Sequence, residues 1–212
     1  MASEHLLSTM AASYDAHASD REEAGEPDWR DEIRDDFAAR LGDGTRVLEV
    51  GAGVGYTSKW FLDQGFDIVS TDLSPANVEL CRAKGVRAEV RDMVDLGFPD
   101  RSFAGVWAAS CLMHVPTADL GGVFGEISRV LVDGGLLWVG TWGGATVEGI
   151  WSEDWYETKR FYSIRDDDLM RTLYEPHFEV LSFSSFSPMA DSDWHYQSAL
   201  LRTVAEVGSV HL

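Results

Sequence analysis

Apolar residues recur along this chain in two rhythms. In WRDEIRDDFAARL (29–41), Ile33, Phe37 and Leu41 return every four residues, which predicts an amphipathic helix with Asp28 as its N-cap. His5 to Ala18 predicts one short helix, and DREEAGEPD (20–28) is the most loop-like stretch of this acidic leader. From Arg46 the rhythm changes. RVLEV (46–50), DIVST (67–71), VRAEV (86–90), AGVWAAS (104–110) and LLWVGTW (136–142) are short apolar runs with few polar breaks, the pattern of strands buried on both faces. Helix-like segments separate them. These are TSKWFLDQG (57–65), with Trp60 and Phe61 on an apolar face; PANVELCRAKG (75–85), opened by Pro75 and closed by Gly85; and TADLGGVFGEISRVLVDGG (117–135), with Thr117 as cap and Gly134 at its end. The alternation predicts an α/β fold: an open, doubly wound, mostly parallel sheet with right-handed crossovers.

After Trp142 the pattern breaks. Residues 143–164 hold Trp151, Trp155, Tyr156, Phe161 and Tyr162 with no clear period, and read as an aromatic-rich insert that walls a substrate site or forms a lid. RDDDLMRTLYEP (165–176) predicts a helix. FEVLSFSSF (178–186) and WHYQSALLRTV (194–204) alternate, as strands with one wetter face do, and predict an antiparallel hairpin at the sheet edge. The organisation expected is therefore a helical leader or cap over 1–45 and an α/β domain over 46–212.

Composition narrows the function. With 212 residues, 45% of them hydrophobic, the chain is long enough for a core of its own. Its 17 basic and 36 acidic side chains give a net charge of −19, which argues against nucleic acid as a partner, since phosphate neutralisation needs clustered Lys and Arg. No run of about 18 apolar residues spans a membrane, and the first twenty residues do not read as a signal peptide. Only Cys81 and Cys111 are present, so a disulfide framework is not expected and a reducing, cytoplasmic location is.

The most informative segment is VLEVGAGVGYTS (47–58). Gly51, Gly53 and Gly55 follow a buried strand and open a helix, where backbone without Cβ lets a ligand approach closely. A dinucleotide fingerprint, G-x-G-x-x-G, would need glycine at position 56, which is Tyr56. Glu49 precedes the turn, and Asp72 and Asp92 end the next two strands. Asp72 stands 21 residues after Gly51, where a carboxylate accepts both hydroxyls of a ribose. Such a pocket suits a neutral or cationic nucleoside. A pyrophosphate would meet Glu49 and, in the sequence, no Lys or Arg near the glycine turn.

The order VLEVGAGVG, STDLS, VRDM, AGVWAASCLMHV and LVDGGLLWVGTW resembles the class I S-adenosylmethionine-dependent methyltransferases, and is most similar to small bacterial members acting on small molecules. The resemblance covers residues 46–142 and implies a seven-stranded, Rossmann-like sheet with S-adenosylmethionine as cofactor. It implies that Gly51, Ala52, Gly53 and Gly55 face the methionine part, with Glu49 beneath the turn. Asp72 would hold the ribose diol, with Leu73 against the adenine; Asp92 would accept from the adenine amino group, with Met93 framing the ring. Ala109 and Ser110 would line the methyl-donor end, and Tyr14 in SYDAHA would cover the cofactor. The Asn/Asp-Pro-Pro-aromatic motif of enzymes that methylate nucleic-acid bases is absent after the fourth strand.

Beyond the resemblance, His114 in SCLMHVP is the candidate catalytic base, since its unperturbed pKa suits proton transfer near neutrality. Cys111 has no adjacent base and reads as structural. The six histidines (5, 17, 114, 177, 195, 211) are scattered and no metal site is expected. The function expected is methyl transfer to a small molecule by in-line displacement, driven by orientation. The alternatives are a non-methyl nucleoside-based transferase or cyclase on the same fold, and a non-catalytic cofactor-binding module.

Overall fold

The computed structural model describes residues 4–188 and 194–204; His211 and the rest of the predicted domain's end lie outside the described residues. The leader is more helical than its composition implies. α1 (Glu4–Ala16) is followed by α2 (Ala18–Ala24), so the first half of the acidic 20–28 stretch is helix, closed by Gly25 at φ 75°. Glu22 ties that helix to the body, pairing with Lys84 at 2.7 Å and accepting from Tyr56 OH at its carbonyl. Asp28 does not cap the next helix. It opens a single 3-10 turn, Asp28–Arg30, and α3 (Asp31–Leu41) continues from it with no side-chain cap.

The body alternates as its sequence predicts: β1 (Arg46–Val50), α4 (Tyr56–Asp63), β2 (Asp67–Asp72), α5 (Pro75–Ala83), β3 (Arg87–Val90), β4 (Phe103–Ala109) and α6 (Thr117–Val130). α5 is capped by Ser74, whose Oγ accepts from Asn77 N at 3.1 Å with Pro75 in the first turn. α6 departs from the prediction at both ends. Pro116 precedes it and Thr117 is its first helical residue. It stops at Val130, because Leu131 already pairs with Phe103 of β4 and begins β5 (Leu131–Gly143); Gly134, at φ 72°, lies inside that strand. The aromatic insert holds a separate two-stranded hairpin, β6 (Val147–Ile150) with β7 (Phe161–Ile164). α7 (Asp167–Tyr174), β8 (Phe178–Phe186) and β9 (His195–Thr203) follow among the described residues.

The main sheet has seven strands in the order β3-β2-β1-β4-β5-β9-β8. β3 to β5 are parallel, β9 is antiparallel to β5, and β8 forms the edge beside β9. Both faces are covered. Leu48, Val50, Val106, Leu137 and Val139 pack against α6 and α7, while Val47, Ile68, Trp107 and Trp138 pack against α3, α4 and α5. Trp107 and Trp138 are register partners on neighbouring strands and stack at 3.8 Å. Because helices bury both faces, the carboxyl ends of β1, β2, β3 and β4 are left to meet at one rim, the place where open α/β sheets build sites. Among the described residues, no helix is long and apolar enough to cross a membrane.

Candidate functional site

At that rim lies a cavity of about 380 Å³, roofed by the leader. Of the residues singled out in the sequence, Tyr14, Glu49, Gly51, Ala52, Gly53, Asp72, Leu73, Asp92, Met93, Ala109, Ser110 and His114 all line it; Gly55 does not. Gly55 takes φ 84° before α4, and a Cβ there would lie 2.6 Å from Cys81 Sγ, so packing and backbone conformation account for this glycine.

The glycine turn is locked by its neighbours. Asp72 Oδ2 accepts from Gly53 N at 2.7 Å, and Oδ1 accepts from Ser74 N at 2.9 Å and Asn77 Nδ2 at 3.2 Å. Burial pushes the Asp72 carboxyl above its usual range, against these three donors. Gly51 packs on Cys111, whose thiol donates to Val50 O at 3.3 Å. Burial pushes this thiol up to about 12, which removes it as a nucleophile at neutral pH. Glu49, at the end of β1, is also buried. Its carboxyl is pushed up to about 8 by burial, although Ser58 Oγ donates to it. Asp92 is more open and accepts from Val94 N at 3.1 Å.

Ser110 follows β4 in the left-handed region, at φ 55°, which costs a non-glycine residue of the order of 1–3 kcal/mol. It is held there by Ser110 N donating to Gly140 O at 2.7 Å, Arg30 Nη2 donating to its Oγ at 3.2 Å, and Tyr196 OH 2.9 Å from that Oγ.

The far end of the cavity is built by three pieces of chain. Leu6, Leu7 and Met10 come from α1, Val115 from the loop after β4, and the largely exposed Trp155 from the insert. Between them runs a polar relay. His114 Nδ1 lies 2.7 Å from Phe161 O; a carbonyl only accepts, so Nδ1 carries the proton and Nε2 accepts from Tyr14 OH at 2.6 Å. Arg160 Nη1 donates to Tyr14 OH at 3.2 Å, while its Nε and Nη2 grip both oxygens of buried Asp154, each at 2.8 Å. Burial lowers His114 to about 4, outweighing the Phe161 bond, so the ring is neutral at pH 7.

The structure corrects the expectation that the glycine turn lacks cations. Arg21 and Arg30 both line the cavity, brought over from the leader, and Arg21 Nη2 stands 3.6 Å from where a Cβ of Gly53 would be. With Asn77, Asp20, Glu26, Thr57 and Arg91 they are among the polar wall residues that sequence reasoning missed. For Arg21 and Arg30 the available signal was the basic content of an otherwise acidic leader.

Residues 48–139 match a family described as a methyltransferase domain. The chain is 37% identical over 106 residues to a 2-methyl-6-phytyl-1,4-hydroquinone methyltransferase of Synechocystis, which covers 47% of this chain and 32% of that protein. It spans about a third of the length of the curated relatives it matches. Among solved structures it resembles a Burkholderia thailandensis 1,6-didemethyltoxoflavin-N1-methyltransferase, bound to that compound and S-adenosylhomocysteine. The TM-score is 0.78 at 20% identity, over 97% of this chain and 92% of that one. It also resembles the [4+2]-cyclase SpnF, with TM-score 0.65 and 22% identity over 82% of this chain and 81% of that one. The matched stretch supplies the glycine turn and the acids at three successive strand ends, and over that stretch the chain is similar to methyltransferase domains.

Proposed function

We propose that this chain transfers a methyl group from S-adenosylmethionine to a small, largely apolar acceptor enclosed beneath its leader. The observation that carries the reading is the gathering of Glu49, Gly51, Ala52, Gly53, Asp72, Leu73, Asp92 and Met93, from three strand ends, on one wall of a single cavity. The residues fit that cofactor. A wall of carboxyls suits a sulfonium, and buried Asn77 Oδ1 has no hydrogen-bond partner beside Asp72, as a ribose hydroxyl would provide.

In this reading Asp72 and Asn77 hold the ribose diol; each Asp72 oxygen accepts several bonds, so the turn and the sugar share it. Asp92 and Met93 frame the adenine with Leu73, and Ala109 and Ser110 line the donor end, where the strained Ser110 backbone fixes the wall. Gly55 acts behind the turn, through packing. When bound, the cofactor supplies an already activated methyl group. The protein's share is alignment and exclusion of water, and orientation of this kind supplies about 7–11 kcal/mol in favourable cases. Leu6, Leu7, Met10, Val115 and Trp155 give the acceptor an apolar seat, in keeping with a small-molecule substrate. Tyr14 covers the cavity, and its hydroxyl takes the acceptor's proton as its own moves to Nε2 of His114. His114 is thus the terminal base. Its low proton affinity restricts the relay to acceptors whose proton is already acidic or absent.

Incubation with methyl-labelled S-adenosylmethionine and candidate apolar metabolites tests the reading, with a gain of one labelled methyl as the expected product. A reaction that proceeds with no label in product would favour the cyclase chemistry named for a neighbour of the same fold. Asp72→Asn should weaken S-adenosylhomocysteine by about 1–3 kcal/mol. Unchanged affinity would remove Asp72 from the site.

A further inference from the structure

Two successive residues of the insert hold the far end of the cavity. Arg160 Nη1 donates to the Tyr14 hydroxyl at 3.2 Å, and the Phe161 carbonyl lies 2.7 Å from Nδ1 of His114. Residues 160 and 161 thus grip the two ends of the Tyr14–His114 pair, whose own contact is 2.6 Å. A guanidinium donates and cannot accept. With Arg160 on one lone pair of the Tyr14 oxygen, the phenol proton finds no acceptor on that side and points at Nε2. A second lone pair is left over, on a side chain that lines the cavity.

Arg160 is itself held rigidly. It is 6% exposed and Asp154 is 1% exposed. Asp154 accepts from Nε and Nη2, each at 2.8 Å, and from the Arg160 backbone N–H at 3.1 Å, while the guanidinium lies 3.7 Å from the centroid of the Tyr156 ring. A buried ion pair adds little net stability by itself, because desolvating two charges offsets their attraction. What this pair does accomplish is to aim the one guanidinium nitrogen it leaves over, and that nitrogen meets Tyr14.

We propose that Arg160 is a positioning residue for methyl transfer: it turns the Tyr14 proton onto His114 and reserves the remaining lone pair of the Tyr14 oxygen for the O–H or N–H of the methyl acceptor. The assignment rests on the proton path proposed above. The acceptor's proton passes to the Tyr14 oxygen and Tyr14's own passes to Nε2, so the phenol is neutral before and after.

Fluorine NMR of the chain carrying 3-fluorotyrosine at position 14 tests this without any ligand. Burial pushes the Tyr14 phenol above its ordinary range and Arg160 pulls it back; Arg21, Tyr156 and His114 are its other charged or titratable neighbours. In R160M the fluorine titration should therefore move to higher pH. Undocking of the leader would move it the other way, because water relieves the burial. R160Q keeps an N–H without the charge and should also move it upward, so it carries the test if R160M does not fold. R160K should bring it part of the way back. The second measurement uses methyl-labelled S-adenosylmethionine and a metabolite labelled by the wild type on an atom that carried a proton. In R160M kcat should fall about 10- to 100-fold, with the KM of that metabolite within about twofold of wild type. A titration that stays or falls in R160M, an unaltered kcat, or products labelled only on atoms that carried no proton would overturn the assignment and leave methyl transfer standing. A wild type that labels no metabolite would overturn the transfer reading and this assignment with it.

Discussion

The Tyr14 hydroxyl lies 2.6 Å from Nε2 of His114, a hundred residues further along the chain, and donates to it. This contact, with Arg160 behind it, fastens the leader to the loop after β4 and to the insert. Tyr14→Phe leaves Nε2 and one arginine donor without their partner in a region shielded from water. The expected loss is about 1–3 kcal/mol of stability, read as a fall in Tm of about 2–4 °C for each kcal/mol in a chain of this size. An unchanged melting curve would show that the hydroxyl does not hold the leader.

His114 makes stability depend on acid. Its folded pKa of about 4 lies below the ordinary value of 6.5, so between these limits the unfolded chain binds the extra proton. The groups around the ring include Tyr14, Tyr162, the Phe161 carbonyl, Arg160, Arg21 and Asp154; the two arginines oppose protonation, and Asp154 and the carbonyl favour it. Stability should therefore be complete above about pH 6.5 and fall as the pH drops towards 4, by at most about 3 kcal/mol. Chemical denaturation across that range, compared with His114→Asn, isolates the contribution. A wild-type slope equal to that of the variant would exclude it.

Glu49 should tell a cation from a neutral ligand. With its carboxyl pushed up to about 8, it is mostly protonated at pH 7, and a sulfonium placed in the cavity favours its ionised form. Binding of S-adenosylmethionine should release up to one proton, and its affinity relative to neutral-sulfur S-adenosylhomocysteine should rise with pH between about 6 and 8. Calorimetry in buffers of different ionisation heat measures the proton. Glu49→Gln should flatten the dependence, and a ratio that does not move with pH in the wild type would show that Glu49 does not sense the donor.

Gly55→Ala should damage folding more than donor contact. The new Cβ meets a left-handed backbone and Cys81 Sγ at once. A loss of about 1–3 kcal/mol is expected from the strain, with Cys81→Ala relieving the steric part only. Full rescue by the double variant would mean that the backbone conformation itself costs little.

The body of the fold was legible because burial on both faces leaves a direct trace in composition: RVLEV and its successors are apolar at nearly every position. The acids at the strand ends were legible for a related reason. A charged residue closing an apolar run stands out against it, whether it serves a ligand or, as Asp72 does, also holds the adjoining turn. The leader was harder. Arg21 and Asp15 act through partners some thirty and sixty residues away in sequence, and no local rhythm records that. The end of α6 was misread because glycines mark helix ends in general, whereas here pairing of Leu131 with Phe103 stopped the helix first. The 143–164 stretch showed no period because much of it is irregular chain whose side chains serve other elements, as Arg160 serves Tyr14.

Asp15 of the leader accepts from Ser74 Oγ at 2.5 Å and from Ala76 N at 2.9 Å, at the same helix start whose Ser74 N–H binds Asp72. Grafting a foreign leader to alter acceptor preference would therefore disturb the Asp72 carboxylate unless an acid were kept at position 15. The chain can be cut near residue 45 on paper, but the energetic seam runs through the first turn of α5.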